Sequence, residues 1–134
     1  ILDRPRVVST TNLAIGGGKG FPTTPRERDA WVENHSAVLP ASRVEQLLDR
    51  YGTYAADLIS YLEGAGDESL VHHQGYSRAE MEWLIQNEWV EELDDLVSRR
   101  TSLLFRGEVT TALHKELSEI LRATKGRTSA RTKK

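Results

Sequence analysis

The stretch NEWVEELDDLVSRRTSLLF, residues 87–105, decides how the chain folds. Leu93, Leu96 and Val97 stand at i, i+3 and i+4, the spacing of one helix face. Arg100 falls at i+7 on that face, where an apolar residue is due. Arginine is almost never fully buried without a partner, so this face has to meet a negative charge. Upstream, Met81, Leu84 and Ile85 make a second apolar face, and Glu88 continues it at i+7 from Met81. Trp89 and Val90 lie between the two stripes, which do not join at one phase. The spacing therefore predicts a break or change of direction near 87–89. On one straight helix Glu88 and Arg100 would stand about 18 Å apart, from a rise of about 1.5 Å per residue. Across a bend they meet and neutralise each other. Asp95 and Arg99 form an acid-to-base i,i+4 pair, worth about 0.3–0.5 kcal/mol on a helix surface.

Working outward, the chain reads as helices. PRERDAWVENHSAVL (25–39) opens with Pro25 and early acids, a helix start. In ASRVEQLLDRYG (41–52), Val44, Leu47, Leu48 and Tyr51 follow the helical period. Ser42 with Glu45 reads as a capping box there, and Gly52 as the stop. Thr53 then reads as the cap of YAADLISYLEG (54–64), ended by Gly64. Ser77 with Glu80 makes another capping box before Met81. In TTALHKELSEILRA (110–123), Leu113, Leu117, Ile120 and Leu121 share one stripe. GAGDESLVHHQG (64–75) reads as a loop. The only strand signal is RVVSTT (6–11), inside an irregular arm punctuated by Pro5, Pro22 and Pro25. From Arg122 onward there is no acid and no large apolar residue, a composition expected to be disordered. The expected class is all-α: a compact bundle of five to six short helices. The irregular arm would cover 1–25, the helical domain 26–123 and the basic tail 124–134.

Composition bounds the function. The chain has 134 residues, enough for one real core, with 38% hydrophobic and 28% charged residues and a net charge of −2. No global field draws it to nucleic acid or membrane. Without cysteine there is no disulfide, thiolate zinc site or cysteine nucleophile. It begins ILDRPRVV, with neither an initiator methionine nor a signal-peptide pattern, and reads as a piece of a longer protein.

The apparent motifs do not carry chemistry. GGGKGF (16–21) is not a phosphate loop, because Lys19 is followed by Gly20 where Ser or Thr would hold magnesium. It reads as a connector. His72 and His73 are adjacent, point different ways and lack a third ligand, so they read as solvated loop residues. His35 and His114 are lone, and Trp31, Trp83 and Trp89 default to core or core edge. No catalytic, cofactor-binding or metal residue is assigned. The basic tail RATKGRTSARTKK (122–134) reads as a frayed terminus.

The order Tyr76, Ala79-Glu80, Glu88, Asp94-Asp95, Leu96-Val97 and Arg99-Arg100-Thr101 resembles the C-terminal helical domain of FAD-dependent glycerol-3-phosphate dehydrogenases. Leu47, Arg50, Tyr51 and Gly52 resemble that family's Arg-Tyr-Gly helix, and TTALHKELSEIL its closing helix. The match runs from about residue 40 to 123. The resemblance implies a parent that passes a hydride from sn-glycerol 3-phosphate to FAD, giving dihydroxyacetone phosphate, with electrons going on to quinone. In it FAD and substrate belong to an N-terminal catalytic domain. The parent would be cytoplasmic, peripheral at the inner face of the cytoplasmic membrane. The fragment would dock on the flavin domain without being catalytic or binding nucleic acid. Glu88, Asp94, Asp95, Arg99, Arg100 and Thr101 are its expected structural or docking residues. The competing reading is a stand-alone helical interaction or DNA-binding module. The acids on both candidate recognition helices, and the negative net charge, weigh against it.

Overall fold

The computed structural model describes residues 17–132. The extended piece expected at 6–11 lies outside them. The described residues are mostly helical, as expected, and fall into two compact units that divide between Ile59 and Ser60.

In the first unit α1 (Pro25–His35) pairs with α2 (Ala41–Tyr51). Thr24 caps α1: its hydroxyl accepts from Glu27 N–H at 3.3 Å, and the Glu27 carboxylate accepts from Thr23 and Thr24 N–H at 2.9 and 3.1 Å. Val44, Leu47 and Leu48 of α2 are wholly buried. The expected Ser42–Glu45 box does not form. Helix α2 starts directly after Pro40, with no side-chain cap, and Glu45 turns to Arg28 instead. Arg28 bridges the two helices, Nε to Glu45 at 3.2 Å and a terminal nitrogen to Asp49 at 2.7 Å.

Gly52 ends α2 at φ 61, and a Cβ there would sit 2.2 Å from the Gly17 carbonyl. Only glycine fits that approach. Thr53, expected as a cap, lies inside a 3₁₀ turn (Gly52–Tyr54). Its N–H donates to Gly17 O at 2.8 Å and its hydroxyl to Lys19 O at 3.0 Å. The glycine-rich segment from 17 to 20 is thus fastened to this turn, where a plain connector was expected. Helix α3 (Ala55–Ala65) passes Gly64, and its end is closed by Gly66, at φ 86, donating to Leu62 O at 2.8 Å. Ala55, Leu58, Ile59 and Leu62 of α3 are buried, as their spacing predicts.

In the second unit the expected loop contains an antiparallel hairpin, β1 (Ser69–Leu70) and β2 (His73–Ser77). Strands this short leave no period to read. Their turn is fixed from a distance: Glu116 accepts from Val71 and His72 N–H at 2.8 and 3.0 Å. The Ser77–Glu80 capping box does form and starts α4 (Arg78–Asn87), which buries Met81, Leu84 and Ile85. After a bend comes α5 (Leu93–Asp95), running into a π-helical turn (Leu96–Arg100). Helix α6 (Thr111–Thr132) packs on α4 and α5 through Leu113, Leu117 and Ile120.

The tail expected to be disordered is corrected. Helix α6 continues through it to Thr132. Arg127 pairs with Glu82 of α4 at 2.9 Å, and the Lys125 ammonium donates to the Glu91 carbonyl. Thr124 takes the next core position after Ile120, wholly buried, and its hydroxyl has no partner among the described residues. A buried hydroxyl without a hydrogen bond is destabilising. Thr124→Val should therefore stabilise the chain by about 1 kcal/mol, read as a higher denaturation midpoint. Deleting residues 122–134 should instead lower the midpoint.

Candidate functional site

The bend is where the sequence-predicted residues gather. Helix α4 stops at Asn87. Trp89 takes φ 52, the left-handed region, and Val90 is buried immediately after it. For a bulky residue that conformation costs about 1–3 kcal/mol. The Arg100 guanidinium donates to Glu88 across the turn at 3.0 Å, the contact that the two interrupted stripes predict. The pair is not buried, since about a third of each side chain is exposed. The reason is the π turn: it is wider than an α-turn, so Arg100 leaves the phase of Leu93, Leu96 and Val97 and reaches the surface.

Asp95 has two duties. Its Oδ2 accepts from the Glu91 and Glu92 N–H groups, each at 3.2 Å, and closes the start of α5. Its other oxygen meets Arg99 at 3.3 Å. The backbone donor of Glu92, then that of Glu91, holds its carboxyl below the usual aspartate range, with Arg99 and Arg100 adding to the effect. Thr101 faces inward. Its hydroxyl donates to the Leu96 and Val97 carbonyls at 3.0 and 3.3 Å and ties off the π turn. Asp94 offers its backbone carbonyl to the Ser98 hydroxyl, while its carboxylate is exposed and finds no partner among the described residues. Five of the six residues are thus engaged within the bend, and Arg99, three-quarters exposed, is the guanidinium turned furthest outward.

Two features were not read from the sequence. The first is Trp89, assigned to core or core edge but 86% exposed, with Leu104 and Phe105 also exposed on the following loop. Its position between two out-of-phase stripes was the available signal. The second is His73, read as solvated. Its Nδ1 accepts from Gly75 N–H at 3.0 Å, which leaves Nε2 to donate to Glu108 at 2.9 Å. Glu108 also meets Arg106 at 3.0 Å, and Tyr76 OH accepts from Ser102 N–H at 3.2 Å. These bonds hold β2 against the 101–108 loop. Nothing in local spacing announces them. Among the described residues no cluster of three His, Asp or Glu side chains has a metal-binding arrangement.

Because the Glu88–Arg100 pair is part-exposed, Glu88→Ala and Arg100→Ala should each cost about 0.5–1 kcal/mol. The double variant should cost less than their sum in a denaturation cycle; strict additivity would show the pair uncoupled. For Asp95 the folded-state pKa lies below the ordinary value of 3.8. Its contribution is complete above that pH and is lost as pH falls through the lowered value. The stability gap between the natural chain and Asp95→Asn should therefore be constant at neutral pH and narrow below about pH 4, as followed by denaturant titration across pH.

The family model for the C-terminal domain of alpha-glycerophosphate oxidase matches residues 8–132. Comparison with curated proteins and with solved structures finds no match. The family match spans both units, including the bend and the Arg-Tyr-Gly helix on which the resemblance rested. The chain belongs to this family, and is the C-terminal domain of a glycerol-3-phosphate oxidase/dehydrogenase-type flavoenzyme.

Proposed function

We propose that the parent enzyme oxidises sn-glycerol 3-phosphate to dihydroxyacetone phosphate and delivers the electrons to a quinone. In this reading the present domain docks on the flavin-binding domain of the same chain and stabilises it without supplying a catalytic group. The parent works in the cytoplasm, peripheral at the inner face of the membrane. Family membership supports the substrate class. The observation that carries the docking role is the braced bend, where Glu88, Asp95, Arg100 and Thr101 hold the shape while Arg99 and Trp89 face outward.

FAD, implied by the family, does not fit these residues. A dinucleotide site needs a glycine-rich turn between a strand and a helix, with free N–H groups facing the phosphates. Among the described residues the strands form an antiparallel hairpin far in sequence from the glycine-rich turn, and that turn is packed against Gly52 with its Gly17 carbonyl taken by Thr53. The flavin is therefore assigned to the catalytic domain of the parent, and these residues act on it only by support.

The test uses the full-length parent. Arg100→Lys keeps the charge and removes the planar fork that meets Glu88. Flavin occupancy and melting temperature should fall modestly, while turnover per bound flavin stays within about twofold, under 1 kcal/mol of barrier. Loss of turnover per flavin with occupancy intact would place Arg100 at the substrate and overturn the supporting role. Reduction of a soluble quinone analogue, set beside oxygen consumption, decides the acceptor; a preference for oxygen would overturn the quinone assignment. Sedimentation with inner-membrane vesicles tests the peripheral location.

A further inference from the structure

The bend presents one large aromatic that has no role within the chain. Trp89 is 86% exposed and sits at positive φ. Among the described residues no hydrogen bond or ring contact engages its side chain. The backbone that carries it is held on both sides, because Glu88 before it is paired with Arg100 and Val90 after it is buried. The indole therefore projects into water from a braced backbone. The cations nearby are each engaged, Arg100 by Glu88, Arg99 by Asp95 and Lys125 by the Glu91 carbonyl, which leaves carboxylates in excess. Residues 88–95 carry five acids and no base, and of these Glu91, Glu92 and Asp94 are exposed.

We propose that Trp89 is the anchor of the docking surface. It inserts into an apolar pocket on the flavin-binding domain of the same parent, and lysine or arginine side chains on the rim meet Glu91, Glu92 and Asp94. This rests on the docking role proposed above and names the residue that performs it. Tryptophan buried at the centre of a contact, with polar groups around it, is the usual form of an interface hot spot. The charge selects the occupant. An anionic bilayer or a nucleic acid is repelled by the same carboxylates. A second copy related by two-fold symmetry would set this acidic rim against itself. A basic-rimmed protein pocket satisfies both the indole and its surroundings.

The experiment is Trp89→Gly, made in the 134-residue chain and in the full-length parent. Glycine accepts positive φ without strain, so the chain alone should keep or raise its melting temperature. In the parent the same change should speed limited proteolysis between the domains about tenfold. Trp89→Asn, which also tolerates this backbone region, should reproduce both results. Raising salt should speed cleavage of the unmutated parent, since the rim pairs are screened. Unchanged proteolysis of either variant parent would overturn the proposal. So would a Trp89-dependent dimer of the chain, or Trp89-dependent binding of the parent to phosphatidylglycerol vesicles with domain cleavage unaltered. If the unmutated parent fails to oxidise glycerol 3-phosphate, the substrate reading falls while the proteolysis result still judges the anchor.

Discussion

The Glu88–Arg100 contact lets two helical segments with incompatible phases serve one core. Continued straight, α4 would carry Leu93, Leu96 and Val97 away from the side on which Met81, Leu84 and Ile85 are buried. The bend resets the phase, and α4 and α5 both reach α6. A pair this exposed is worth about 1 kcal/mol at most. Burying each leucine or valine contributes about 1.5–3 kcal/mol. The ion pair therefore does not supply the stability of the fold. It selects the direction in which the apolar residues turn, and Trp89 bears the backbone strain of that choice.

What the sequence made legible was periodic. Apolar stripes recur at fixed spacing, and a charge that interrupts one is visible as an error in the period; Glu88 and Arg100 were found in that way. The Ser77–Glu80 box was equally readable, because a cap acts across three residues. Several of the misses are set by distant partners. The hairpin turn depends on Glu116, 45 residues from Val71. The tail is held to α4 by Arg127 and Glu82, again 45 residues apart. Tail composition suggested disorder because neither Thr124 nor a lysine reads as an anchor, yet both serve as one once α6 has an apolar partner upstream. Glu45 satisfied the rule for a box and was taken by Arg28 instead, a case of a tertiary ion pair outcompeting a local cap.

The carboxylates explain how an acidic segment can be orderly. Glu27 and Asp95 each accept two backbone N–H groups at a helix start, and Glu116 accepts two at a hairpin turn. Each carboxylate does structural work by matching donors that secondary structure leaves open. Beside Trp89 the exposed carboxylate of Asp94 has no such duty.

That distribution bears on what an accessory domain contributes. Binding loses free energy wherever a flexible side chain or loop must be ordered at the contact. At this bend the ordering has already occurred within the domain: Asp95 closes α5, Thr101 ties off the π turn, and Glu88 holds Arg100. The guanidinium pair thus acts one step removed from any partner, by fixing the backbone from which Trp89 projects. In the proposed docking role, loosening Arg100 would weaken the contact without touching it, because the backbone beneath Trp89 would have to be ordered at the moment of binding.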